Sequence, residues 1–104
     1  IQFLQKKLKE IQSICEAKNV SLGLINLGIT HNSYNTNKLR DICSDLEIHF
    51  IDATRQFKSR ETRNYILTPL DTHPNEAGHL LMSRPFSSLV RTMRTEYLKT
   101  CHLE

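Results

Sequence analysis

Two short apolar runs, each preceded by an amphipathic segment, limit what this chain can fold into more than any other feature. Residues 20–29 read VSLGLINLGI and residues 48–54 read IHFIDAT. The first run lacks helical periodicity and is bounded by polar residues, which suits a strand buried on both faces of a parallel sheet. The second reads as another strand. Ahead of the first run, FLQKKLKEIQSICEAKN places Leu4, Leu8, Ile11 and Cys15 at spacings of three and four, with charge on the other side and Asn19 as a C-terminal stop. Ahead of the second, Leu39, Ile42, Cys43 and Leu46 repeat at helical spacing, with Asn35 or Thr36 as the expected cap. Helix, strand, helix, strand with short connections is the rhythm of a βαβ unit, whose right-handed crossover makes the strand pair parallel.

The rest of the chain is less regular. Residues 55–69 fit a short helix or an irregular excursion equally well. The last third, EAGHLLMSRPFSSLVRTMRTEYLKT, is helical in pattern but contains Pro85. Proline removes a backbone donor and crowds the preceding turn, so a break or kink is expected near Arg84, with Ser83 capping a second piece. In that piece Phe86, Leu89, Val90, Met93 and Tyr97 form an apolar stripe that reads as core. The chain of 104 residues fits one small domain, 1–104, with no internal boundary, repeat or low-complexity segment.

Bulk chemistry excludes several function classes. Hydrophobic residues at 38% and charged ones at 24% describe a globular chain. The net charge of +3 is spread over separated sites such as Lys6-Lys7, Lys38-Arg40, Arg60-Arg63 and Arg91-Arg94, so no nucleic-acid partner is expected. Three cysteines, Cys15, Cys43 and Cys101, have no CxxC spacing, which argues against a disulfide framework or a structural zinc site. Cys15 and Cys43 fall on the apolar helix faces and read as small buried hydrophobes. There is no signal peptide and no apolar run of membrane-spanning length. No metal and no cofactor is expected. The chain begins at Ile1 rather than Met, so further residues are expected upstream.

The most chemically suggestive stretch is residues 70–79, LDTHPNEAGH. One reading is purely local. Asn75 is a good N-cap, Pro74 stiffens the approach, Glu76 favours the positive end of the helix dipole, and Asp71 can close an Asx turn. The other is catalytic. In extended backbone, residues i and i+2 point to the same side, so Asp71 can hydrogen-bond Nδ1–H of His73. That contact fixes the tautomer and leaves Nε2 free as a general base toward a serine. A metal site using His31, His73, His79 and Asp71 is disfavoured, because the spacing does not put two ligands on one helical face.

The block Asp71, His73, Pro74, Asn75, Gly78 and His79 resembles the C-terminal block of the SGNH (GDSL-type) esterases and lipases. The resemblance implies the C-terminal half of a flavodoxin-like three-layer α/β/α fold with a parallel sheet. It implies His73 as general base, Asp71 as its orienting acid, and Pro74, Asn75 and Gly78 as loop and cap support. His79 is similar to a helix position that is packed rather than catalytic. The family's nucleophile lies in a Gly-Asp-Ser motif, and this chain contains none; its G-x-N asparagine and oxyanion glycine are also missing. The resemblance therefore implies a partner, either the N-terminal portion of the same domain or a complementary chain, together with a small acyl-ester substrate. Without that partner the polypeptide is expected to be inert. The alternative is a non-catalytic flavodoxin-like binding or structural domain, in which D-T-H-P-N is only a helix cap.

Overall fold

The computed structural model describes residues 2–102, with side chains through residue 99. The order is α1 (Gln2–Ala17), β1 (Gly23–Asn26), α2 (Ser33–Asp45), β2 (His49–Asp52), two 3₁₀ turns (Ala53–Phe57 and Thr62–Asn64), β3 (Ile66–Thr68), β4 (Asp71–Pro74) and α3 (Glu76–His102). The fold is mixed α/β. β1 and β2 pair in parallel, Gly23 opposite His49 through Asn26 opposite Asp52. This is the βαβ arrangement expected from the two apolar runs.

Helix ends follow local chemistry. α1 stops at Asn19, which takes φ 57°, a left-handed conformation that asparagine tolerates better than most residues. α2 starts earlier than expected, because Asn32 rather than Asn35 or Thr36 is the cap. Its Oδ1 accepts the Asn35 amide at 3.1 Å, and its carbonyl accepts the Thr36 amide at 3.0 Å.

The parallel pair is covered on both faces. Leu22, Leu24 and Phe50 pack against Leu8, Ile42, Cys43 and Ile48 from the α1–α2 side. On the other side Ile25 joins Ala53, Phe57, Leu81 and Met82, which ties β1 to α3. α3 lies so close to β1 that a Cβ on Gly23 would sit 2.6 Å from Met93 Sδ. Burial of the Cys43 thiol, which is fully enclosed, pushes its pKa up.

Three expectations are corrected. The strands are shorter than the apolar runs, and all four β1 residues are half-buried rather than enclosed. A two-stranded sheet leaves an open edge on each strand, and Val20 and Leu27, on either side of β1, are exposed. α3 runs unbroken through Pro85, and Ser83 lies inside it, donating to the Leu80 carbonyl at 2.6 Å instead of capping. The buried stripe Leu81, Met82, Pro85 and Leu89 holds the helix together where proline has removed a donor to the preceding turn. Within the expected stripe only Leu89 is buried and Met93 half-buried, while Phe86, Val90 and Tyr97 are exposed.

Candidate functional site

β3 and β4 form an antiparallel hairpin separate from the parallel pair, so the segment ahead of Asp71 is not a third strand of that sheet. Thr68 pairs with Asp71 across Pro69 and Leu70, and Thr68 Oγ1 accepts the Asp71 amide at 3.0 Å. Proline pre-sets its φ for the first corner of such a turn. β4 then runs directly into α3 through Asn75.

Asn75 ties three segments together. Its Oδ1 accepts the Gly78 amide at 2.9 Å, capping α3, and its Nδ2 donates to the carbonyls of Asn64 and Ile66 at 3.0 and 3.1 Å. Its amide donates to the Tyr65 carbonyl at 2.9 Å. Gly78 is buried against that same segment. A Cβ there would lie 2.6 Å from the Tyr65 carbonyl oxygen and 3.1 Å from Pro74 Cβ. The first turn of α3 is thus pressed onto the backbone that supports β4.

On this platform Asp71 and His73 come together as the sequence implies. His73 Nδ1 lies 2.6 Å from Asp71 Oδ1, and the His73 amide donates to the same oxygen at 3.1 Å. An Asx turn and an Asp–His side-chain bond therefore share one oxygen. The His73 hydrogen bond holds the Asp71 carboxyl below its ordinary pKa. The side chains are 85% exposed for His73 and 50% for Asp71. Among the described residues no hydrogen bond engages His73 Nε2, which faces outward from the pair. His79 is exposed rather than packed, so that expectation is corrected; its amide closes the first turn onto the Asn75 carbonyl at 2.9 Å.

A second cluster, which the sequence reading passed over, lies at the carboxyl ends of β1 and β2. Asp52 accepts from the hydroxyls of Thr36 and Thr54 at 2.7 and 2.6 Å, from the Thr54 amide at 3.1 Å and from Asn26 Nδ2 at 3.1 Å. Burial pushes its carboxyl pKa up, but the bonds from Thr54, Thr36 and Asn26 outweigh it and leave the value below the ordinary one. His31 Nδ1 sits 3.2 Å from Asp52 Oδ2 and also 3.2 Å from Thr54 Oγ1, while Ser33 Oγ lies 3.3 Å from His31 Nε2. The order Ser33, His31, Asp52 is that of a proton relay. Yet Asp52 is already saturated by four donors, and His31 Nδ1 is divided between two partners. These bonds staple the β1–α2 loop to β2. The signal available in the sequence was the polar ends of both strands, Asn26 and Asp52, in register.

Among the described residues no group of three or more histidine, cysteine, aspartate or glutamate side chains could hold a metal ion, and no helix is long and apolar enough to cross a membrane. No family model, curated protein or solved structure matches this chain.

Proposed function

We propose that this chain is the C-terminal part of an SGNH-type serine ester hydrolase with a flavodoxin-like fold, supplying the Asp71–His73 pair of its triad. The observation that carries the reading is the 2.6 Å bond between Asp71 Oδ1 and His73 Nδ1 on a braced strand, with Nε2 turned to solvent. An imidazole held that way accepts a proton at Nε2 from a serine hydroxyl, and the carboxylate stabilises the imidazolium that results. The serine and the oxyanion donors come from the N-terminal portion of the domain, and the substrate is a small acyl ester. The two-stranded parallel sheet with open edges supports this reading, since further strands have somewhere to pair.

The non-catalytic alternative is favoured by one observation, the Asx turn in which the His73 amide donates to Asp71 Oδ1. Asp71→Asn separates the two. The asparagine side-chain carbonyl still accepts the amide, so the turn survives, but no negative charge remains to stabilise an imidazolium. In the complete protein, turnover of a short-chain p-nitrophenyl ester is expected to vanish with His73→Ala and to fall by about 10⁴-fold with Asp71→Asn, at unchanged melting temperature. Activity untouched by both substitutions rejects the assignment.

A further inference from the structure

A cavity of about 190 Å³ opens beside the first half of α2, away from β4 in sequence, and its lining is cationic. Arg40 comes from α2, Arg55 from the first 3₁₀ turn and Lys58 from just beyond it; Ser33, His31, Thr36 and Asn37 complete the wall. Among the described residues no carboxylate lines it. Among the described residues Arg55 and Lys58 form no ion pair, and Arg40 is engaged only by Asn37 Oδ1 at 3.4 Å and the Phe50 ring at 5.8 Å. The carboxylate in contact with the wall, Asp52, is 2% exposed and committed to its own donors. Ser33 also lines this space from the start of α2, where Asn32 satisfies the amides of Asn35 and Thr36 but not that of Ser33.

Three cations lining one small cavity repel one another, a cost that an anion removes. We propose that this cavity binds a phosphoryl group, either as inorganic phosphate or as the head of a phosphate monoester. Two guanidinium groups offer paired N–H donors suited to a tetrahedral oxyanion, and Lys58 adds a point charge. The start of α2, capped by Asn32, adds the positive end of its dipole beside Ser33. The site is independent of Asp71 and His73, so its failure leaves the hydrolase reading standing.

The test is calorimetric titration of the protein with inorganic phosphate and, separately, with phenyl phosphate. Benzoate serves as the monoanionic comparison. Phosphate is expected to bind more tightly than benzoate and to shift the amide resonance of Ser33. The double substitution Arg55→Gln and Lys58→Gln is expected to weaken phosphate binding at least about tenfold, whereas Lys99→Gln on α3 leaves it unchanged. Arg55 and Lys58 are exposed, so the glutamines do not disturb the core, which a circular-dichroism melt verifies. Tighter binding of phenyl phosphate assigns the source as a monoester, and equal binding assigns it as the free ion. Undiminished phosphate affinity in the double variant, or an unmoved Ser33 amide, overturns the proposal. Binding of a short oligonucleotide without binding of phosphate itself overturns it in favour of nucleic acid.

Discussion

Asp52 and Asp71 each meet a histidine Nδ1, and the difference between them lies in what else surrounds the carboxylate. Asp71 stands at the surface, where its oxygen serves one histidine through a side chain and an amide. Asp52 is enclosed at the end of β2 and holds donors from β1, α2 and the following turn. Those bonds favour its ionised form, so its folded pKa falls below the unfolded value near ~3.9. Its contribution to stability is therefore complete above about pH 5 and is lost as pH falls through the lowered folded value. Asp52→Asn removes that titration while keeping the shape. The variant is expected to lose about 1–3 kcal/mol at neutral pH and to show a flatter decline in acid. Urea unfolding of both proteins at stepped pH measures this; parallel acid limbs for parent and variant would falsify the role assigned to Asp52.

At the scale of elements, the close approach of α3 to the segment before β3 yields a sign that propensity alone gets wrong. Alanine is favoured over glycine inside a helix by about 1 kcal/mol. At Gly78, however, the new methyl meets the Tyr65 backbone carbonyl oxygen at 2.6 Å, and no rotamer change relieves a clash with backbone. Gly78→Ala is expected to destabilise by about 1–3 kcal/mol, read as a lower urea midpoint; a higher midpoint rejects the close packing. The cap at Asn75 and the parallel strands were legible in sequence because cap chemistry and apolar runs are local signals. The unbroken α3 was not, because the penalty at Pro85 is local while the compensation, burial of Leu81, Met82 and Leu89, is tertiary. The hairpin escaped for the same reason. Residues 55–69 carry no clear period, and Ile66–Thr68 becomes a strand only by pairing with β4. The Asp52 cluster left only the polar strand ends as a signal, because its members lie as far apart as Asn26 and Thr54 and meet only once β1 and β2 are in register.

For the whole molecule the central fact is that the core is small for the surface it must organise. The Cα radius of gyration is 15.9 Å, with extents of 51 × 32 × 20 Å. A compact domain of this length has a radius near ~13 Å. Part of the excess is α3, whose 27 residues extend roughly 40 Å at the helical rise. Along it Phe86, Val90, Tyr97 and Leu98 are exposed, as are Phe3, Ile11 and Ile14 on α1 and Val20 and Leu27 beside β1. Each strand of the parallel pair also keeps an unpaired edge of backbone donors and acceptors, a template for another chain. Apolar helix faces and open edges on the same molecule are what a sheet with missing strands would leave behind. The 104-residue chain by itself is therefore expected to self-associate at micromolar concentrations, seen as a sedimentation coefficient that rises with loading. On the hydrolase reading proposed above, adding an N-terminal portion that carries the serine converts that mixture to one species of the combined mass and brings esterase activity with it. A monodisperse, stable monomer of this chain across the concentration series would show that its exposed faces need no cover, and would remove the sheet argument for a missing half.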